Sequence, residues 1–217
     1  MNPKKWLLHP AAKPLVFVAS LLPLAWLVYA AAAQQLGANP AEALIRSLGD
    51  WTLRFLCIVL AVTPLRVITG IPALARFRRM LGLFVFFYGL MHLLSYAGFD
   101  MGLDWGDIVR DIAKRPFILV GSLGLLLLSL LAATSFNRAI RWMGAARWRA
   151  LHRLVYVVAC LAVLHFFWMR AGKNNFTDVF VYGAILATLL GWRVVHFVAQ
   201  RRRSGRPAAA QAASGAR

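Results

Sequence analysis

Six apolar runs divide the chain, and the short segments between them carry most of its charge. The runs fall at 14–33, 52–69, 80–98, 117–136, 151–169 and 176–198. Each is close to the roughly 20 residues that a helix needs to cross a hydrocarbon core about 30 Å thick. The run at 52–69 is the weakest, because Arg54 and Arg66 lie at its ends. The pattern predicts an all-α membrane protein built as a six-transmembrane-helix bundle.

The composition supports an integral membrane protein. The 217 residues are 61% hydrophobic, and the mean hydropathy is +0.66. A soluble domain of this length would be considerably more polar. The first apolar run follows a basic start, but it is long and no small-x-small cleavage site precedes a soluble domain, so a signal peptide is not favoured.

The net charge of +18 is distributed unevenly across the predicted topology. With the N-terminus in the cytoplasm, 18 of the 25 Lys and Arg residues and no acid fall on the cytoplasmic side, in the N-terminal segment, 66–79, 138–153 and 193–217. The other seven basic residues share the opposite side with all seven acids. This positive-inside pattern predicts that both termini are cytoplasmic. Anionic membrane lipid is then a sufficient partner for the basic face, and nucleic acid is not needed to explain it.

Two longer connections lie on the side opposite the termini. The segment 34–51 has a helix start at Asn39-Pro40 and is expected to form a short helix. The segment 104–115 is expected to form an amphipathic surface helix that ends at Pro116, with Trp105, Ile108 and Ile112 on one face. This stretch is the candidate docking surface for a partner protein.

The remaining features limit the domain organisation. Residues 1–200 are expected to form one membrane domain, and 201–217 a disordered basic cytoplasmic tail. Cys57 and Cys160 have no metal-site spacing and are interpreted as packing residues. The chain has no G-x-G-x-x-G or P-loop pattern, so it shows no site for a nicotinamide dinucleotide or ATP.

Histidines are the polar groups that stand out inside the spans, because no acid lies well within an apolar run. His92 in the third run and His165 in the fifth lie at similar depth, each about one or two turns from the end opposite the termini. Two neutral imidazoles at one depth can occupy both axial positions of a haem iron. The alternative is an interhelical hydrogen bond from each ring. Zinc is less suitable, since it usually takes four ligands that include Cys or carboxylate.

A third imidazole, His152, lies in a second layer nearer the cytoplasm. Thirteen residues separate it from His165, a rise of about 20 Å and a rotation of about 140° on an ideal helix. Either the fifth helix is distorted there, or His152 meets a different partner. A second haem would need a ligand near position 78 of the third helix, where Arg78 and Arg79 stand. Guanidinium groups bind carboxylates and phosphates, so these arginines could hold the propionates of a haem or the phosphate of a flavin. The alternative is that they are only positive-inside anchors.

Three stretches together resemble a known family. RRMLGLFVFFYGLMHLL, KRPFILVGSLGLLLLSLLAATS and WRALHRLVYVVACLAVLHFFW look like the MsrQ (YedZ) family of haem-binding membrane subunits, within the ferric-reductase-like transmembrane group. The resemblance extends from the first span to the sixth. It implies a six-helix protein of the bacterial inner (cell) membrane that serves a periplasmic protein-methionine-sulfoxide reductase.

The resemblance also implies cofactors and partners. The family's haem histidines map onto His92, His152 and His165, and the family is described as binding haem b and FMN. Electrons would come from the quinone pool, as quinol, or from a cytosolic flavin reductase. They would pass to a periplasmic molybdopterin-containing enzyme that reduces methionine sulfoxide in oxidised proteins. Larger relatives have a fourth haem histidine and a fused flavin–nicotinamide domain. Here Arg78 stands near the place of that histidine and the fused domain is absent, so one or two haems are possible and an external donor is required.

The sequence therefore favours an electron-transfer subunit of an oxidoreductase complex rather than the catalytic subunit. Ligation by two histidines suits electron transfer, because it leaves no open axial site for oxygen. Two alternatives remain at this point. One is a proton-coupled membrane transporter that uses intramembrane histidines as relays. The other is a structural anchor for another subunit, which leaves the matched depth of His92 and His165 unexplained.

Overall fold

The structure, a computed structural model, describes residues 3–172 and 175–214, with side chains over 6–172 and 175–202. This part of the chain contains α-helices, short 3-10 and π-helical turns, and no β-strand. The helices are α1 (Pro3–Leu8), α2 (Ala12–Ala32), α3 (Pro40–Thr69), α4 (Arg78–Ser95), α5 (Trp105–Lys114), α6 (Pro116–Ala133), α7 (Asn137–Met143), α8 (Ala145–Leu151), α9 (Val155–Ala171) and α10 (Thr177–Ser214).

The six predicted spans are confirmed. Within the described residues, six helical segments are long and apolar enough to cross a membrane, and they comprise α2, α3, α4 with its flanking turns, α6, α8 with α9, and α10. Their outward faces carry large exposed side chains such as Leu22, Trp26, Leu126 and Val195. Such faces are suited to lipid, because every backbone group of a spanning helix is satisfied within the helix itself.

The second span is longer than the sequence indicated. Helix α3 begins at Pro40, where the Asn39 side chain accepts a hydrogen bond from the Glu42 amide at 3.1 Å. It continues without interruption to Thr69 and ends at Gly70, which has a left-handed φ of 62°. Its 30 residues span about 45 Å. The predicted helix start at Asn39-Pro40 is right, but the expectation of a separate short helix in 34–51 is wrong.

The amphipathic helix predicted at 104–115 is present as α5. The Asp104 carboxylate caps it by accepting a hydrogen bond from the Asp107 amide at 3.0 Å. Ile108 is buried in a small cluster with Tyr96, Ala97 and Ile118. Ile112, predicted on the same face, packs against this cluster, whereas the Trp105 side chain at the start of the helix is 73% exposed. The Ile108 side chain therefore packs α5 against the bundle, and the exposed Trp105 side chain is accessible to another surface.

Two further expectations concern the tail and the cysteines. Helix α10 continues as far as Ser214, into the segment 201–217 that was expected to be disordered. The boundary at residue 200 stays a prediction, and 215–217 lie outside the described residues.

Cys57 is buried in the core and Cys160 is exposed, and both are free thiols.

Helices of the described chain pair around an internal space. Helix α3 packs along α4 and α6 packs along α9, while α4 also contacts α6. These four helices surround a cavity, with α2 and α10 packed against the outside. Next to the cavity the core contains aromatic side chains. Tyr88 is fully buried and stacks on Phe55, with 5.1 Å between the ring centroids.

Candidate cofactor site

The cavity between α3, α4, α6 and α9 has a volume of about 560 Å³. This is within the usual range of about 300–1,000 Å³ for small-molecule and cofactor sites. Its walls are mostly apolar side chains, including Leu53, Val85, Leu125 and Val158. Charged groups line only the end where α3 and α6 begin and α4 and α9 end. This end, named here the mixed-charge end, holds the acidic residues, whereas the opposite end, named the basic end, holds the Arg-rich connections 66–79 and 138–153.

His92 of α4 and His165 of α9 face each other across the cavity. Their ring centroids lie 6.1 Å apart, with an interplanar angle of 83°. Metal–imidazole bonds are about 2.0–2.1 Å long, so two imidazoles on opposite sides of one metal ion would have their centroids roughly 6 Å apart. The depth match read from the sequence therefore corresponds to a spacing that suits one shared metal ion.

Each of these histidines is fixed by a backbone carbonyl. The Nδ1–H of His92 donates to the Ile45 carbonyl oxygen at 2.8 Å, and that of His165 donates to the Phe117 carbonyl oxygen at 2.6 Å. A carbonyl oxygen can only accept, so Nδ1 must carry the proton in both neutral rings. The lone pair is then on Nε2 of each ring. This is the arrangement that orients metal-ligating histidines and raises their basicity.

Glycines leave the space that both rings occupy. A Cβ at position 121 would lie only 2.7 Å from Nδ1 of His165, and a Cβ at position 49 would lie 3.2 Å from Nδ1 of His92. Each glycine lies four residues after the carbonyl that binds the ring, Gly49 after Ile45 and the other after Phe117. Residues four apart share one helix face, so carbonyl and glycine together form a seat for each imidazole.

The structure separates His152 from this pair. His152 is the first residue of a 3-10 turn, His152–Leu154, between α8 and α9. Its side chain does not line the cavity. Its Nε2 lies 3.2 Å from the Thr134 hydroxyl, and its ring stacks on Trp148 with centroids 4.0 Å apart. Both alternatives raised by the 140° rotation hold: the fifth span is distorted here, and His152 meets Thr134, which directly follows α6, and Trp148 of α8.

Arg78 and Arg79 lie at the basic end and do not line the cavity. Arg79 donates to the Asn137 side-chain oxygen at 2.7 Å, and Arg78 lies near His152 and Arg193. A role for either arginine in binding a propionate of a group held in this cavity does not fit these positions. Their assignment to a haem propionate or an FMN phosphate in the second layer, nearer the basic end, stays a prediction.

Sequence reasoning missed the residues that complete the cavity. Among the described residues, its mixed-charge end is lined by arginines and carboxylates that include Arg46, Arg115, Arg170, Glu42, Asp50 and Asp100. It also missed the two glycines and the two carbonyls, because nothing in one sequence shows which helix faces a given histidine. The one signal in the sequence that could have pointed to these glycines and carbonyls is the spacing of four residues that Ile45 and Gly49 share with Phe117 and Gly121.

The donor set of the cavity is the imidazole pair. Among the described residues, no three His, Cys, Asp or Glu side chains lie close enough to share a metal ion. Two nitrogen donors on opposite sides, with apolar walls between them, fit a flat macrocycle that supplies its own equatorial ligands. The glycines that admit the two rings and the orphaned Nε atom of Arg170 agree with a bound anionic cofactor.

Comparisons with known proteins agree with the class that the fold defines, a six-span bundle with paired intramembrane histidines. Residues 48–163, just over half of the chain, match the family model described as ferric reductase like transmembrane component. The match includes His92 and His152 and stops shortly before His165. No solved structure matches the chain.

Curated relatives make the assignment more specific. A protein of Polaromonas naphthalenivorans named protein-methionine-sulfoxide reductase heme-binding subunit MsrQ is 72% identical over 92% of this chain and 91% of its own length. The proteins of the same name from Bordetella pertussis and Caulobacter vibrioides are 52% and 47% identical, over 84% and 83% of this chain and 88% and 85% of their own lengths. The chain belongs to the MsrQ family of ferric-reductase-like transmembrane proteins, and the resemblance read from the sequence is confirmed. The six apolar helices and these bacterial relatives support a multi-pass protein of the bacterial inner membrane.

Proposed function

We propose that the chain is a haem b electron-transfer subunit of a protein-methionine-sulfoxide reductase system, with His92 and His165 as the axial ligands. The observation that carries the proposal is the facing pair of imidazoles, 6.1 Å apart, each with Nδ1 bound to a carbonyl. When bound, haem supplies a one-electron carrier inside the membrane. The names of the similar proteins, which describe a heme-binding subunit, support the same conclusion.

The surrounding residues adapt the cavity to this role. The carbonyls of Ile45 and Phe117 hold both rings in one tautomer, so little rearrangement is needed to present both Nε2 atoms to one iron. His92 and His165 would both ligate the iron of a bound haem, which would leave oxygen no open coordination site. The apolar walls limit access of water, which further suits a carrier that exchanges electrons rather than atoms.

We propose one haem in this cavity. A second haem, which the family resemblance leaves open, would have to use His152 at the basic end. There Nε2 of His152 would first have to leave the Thr134 hydroxyl, 3.2 Å away. FMN, proposed from the resemblance alone, would fit the basic end better than the cavity, since Arg78 and Arg193 lie near each other there.

The electron donor and the acceptor are proposed from the topology and the resemblance. The basic end faces the cytoplasm by the positive-inside rule, and quinol or a cytosolic flavin reductase would deliver electrons. The mixed-charge end then faces the periplasm, where a molybdopterin-containing methionine sulfoxide reductase would accept them. Helix α5 is the proposed docking surface, because Trp105 and Val109 are exposed beside the ion pair of Arg110 and Asp107.

The geometry favours electron transfer over a proton-coupled transporter. A relay histidine must take up a proton at one ring nitrogen and release one from the other. In His92 and His165, Nδ1 is held on a carbonyl that has no proton to give. The acids near the cavity are confined to its mixed-charge end, so no chain of titratable groups among its lining residues crosses the bundle.

The proposal is tested by the optical spectrum of the purified protein. We expect a Soret band that shifts on reduction with dithionite, and reoxidation of the reduced protein when the periplasmic reductase and methionine sulfoxide are added together. Omitting either the reductase or the sulfoxide is the control. A colourless protein would exclude the haem role. A coloured protein that the reductase does not reoxidise would exclude the proposed partner but not the cofactor.

A further inference from the structure

We propose that Arg170 anchors a propionate carboxylate of the haem at the mixed-charge end of the cavity, an inference that rests on the proposed function. Propionates are the anionic groups of haem, and a guanidinium binds a carboxylate through parallel N–H donors. The position of Arg170, its unused donor and its packing each support this role.

Arg170 lies in the right place relative to the proposed iron ligand. It follows His165 by five residues in α9, a rise of about 7.5 Å toward the mixed-charge end. Its side chain lines the same cavity as both imidazoles. The guanidinium lies over the Phe166 ring, with its central carbon 5.4 Å from the centroid. This contact holds the charged group against the cavity wall while its edge remains available to a ligand.

One donor of this guanidinium is buried and unused. Nε of Arg170 has no hydrogen-bond partner among the described residues and is shielded from solvent. The Nη2 atom reaches Asp178, but the distance is 3.3 Å and that carboxylate is largely exposed. A buried N–H group without an acceptor is costly, and more so when it is charged. A carboxylate bound in the cavity would supply the missing acceptor.

The other two arginines of the cavity are committed to carboxylates of their own segments. Arg46 pairs with Glu42 at 2.5 Å, and Nε of Arg115 pairs with Asp111 at 2.7 Å. Both pairs join residues one helical turn apart near the surface. The charges within each pair cancel, and a propionate would have to compete with an existing carboxylate for the donors of either arginine. Arg170 is therefore the anchor that the structure favours.

The consequence is a fixed orientation of the cofactor, with its propionates toward the mixed-charge end. Because the anchor binds only the carboxylates, its effect must vanish when these are esterified. Esterification of the haem therefore separates a propionate contact from a general structural role of Arg170.

The test titrates purified apoprotein in detergent with haem b and with its dimethyl ester, following the Soret band. The variants are Arg170→Gln, Arg170→Lys and, as a matched control, Arg110→Gln, whose exposed guanidinium pairs with Asp107 outside the cavity. We expect Arg170→Gln to weaken binding of haem b by about tenfold to a hundredfold and to leave binding of the ester unchanged. Arg170→Lys should weaken it less, and Arg110→Gln should not.

Each outcome decides between the two proposals. Equal weakening of haem b and the ester, or no weakening of either, would overturn the anchor while leaving the haem site intact. Wild-type protein that binds neither form would instead overturn the proposed function. If Arg170→Gln does not fold, the test is the ratio of the two affinities in wild type and Arg170→Lys. A lower preference for haem b in Arg170→Lys supports the anchor, and an unchanged preference contradicts it.

Discussion

Gly121 leaves the room that the imidazole of His165 occupies. A methyl group at position 121 would come within 2.7 Å of Nδ1 and 2.9 Å of Cε1 of that ring, so Gly121→Ala has to displace the ring, the helix or both. We expect this variant to lose most of its haem, because the ring would leave the Phe117 carbonyl that fixes its tautomer. Haem content per polypeptide is the measurement.

A graded series controls this prediction. Gly49→Ala would meet His92 at 3.2 Å, a contact that a small shift relieves, while Gly82→Ala in α4 would meet nothing within 4 Å. The expected order of haem loss is therefore position 121, then 49, then 82, with no loss at the last. Equal haem content in all three variants would show that the glycine seats do not position the rings.

Tyr88 inserts its hydroxyl into the backbone of the neighbouring helix α2, next to Pro23. The hydroxyl donates to the Ser20 carbonyl oxygen at 2.8 Å and accepts from the Leu24 amide at 3.2 Å. A side chain that enters the helical hydrogen-bond ladder in this way is one recognised cause of a kink. We expect Tyr88→Phe to lower the free energy of unfolding by about 1 kcal/mol.

The measurement for Tyr88→Phe is an SDS titration of the protein in mixed micelles. Tyr29→Phe is the control, since Tyr29 lies on the same helix α2 with an exposed ring. A loss of stability at Tyr29 as large as that at Tyr88 would show that the inserted hydroxyl contributes nothing specific.

Helix α5 should carry the contact with the periplasmic reductase through Trp105. Exposed tryptophans are frequent energetic centres of protein interfaces. We expect Trp105→Ala to weaken binding of the reductase by about tenfold or more, while haem content stays unchanged because this side chain lies outside the cavity. Trp142→Ala, an exposed tryptophan of α7 near the basic end, is the control. Equal weakening by the two substitutions would argue against α5 as the docking surface.

His152 should be dispensable for the cofactor in the cavity. Its ring is engaged by Thr134 and Trp148 and does not line that cavity. We expect His152→Ala to keep the low-spin ferric signal, seen by electron paramagnetic resonance, that His92→Ala abolishes. Loss of the same signal in both variants would contradict the assignment. The ratio of haem to protein in wild type and His152→Ala also gives the number of haems.

Hydropathy was sufficient to predict the six spans, because the ability of a helix to cross the membrane depends on the composition of that helix alone. The depth of His92 and His165 was readable for the same reason, since depth follows from counting residues along a helix. Partners across helices were not readable. The Ile45 and Phe117 carbonyls, the glycine seats and the arginines at the mixed-charge end depend on which helix faces which. The 3-10 turn at His152 and the full length of α3 depend on packing and capping that a hydropathy window averages away.

We propose above that His92 and His165 together hold one haem iron. The haem content of purified His92→Gly and His165→Gly tests this pairing most directly. His196→Gly is the control, because the His196 ring stacks on Trp192 away from the cavity. We expect both cavity variants to lose most of the Soret absorbance per polypeptide and to regain it when imidazole is added, while His196→Gly retains it throughout. Wild-type haem content in either cavity variant without imidazole would contradict the claim.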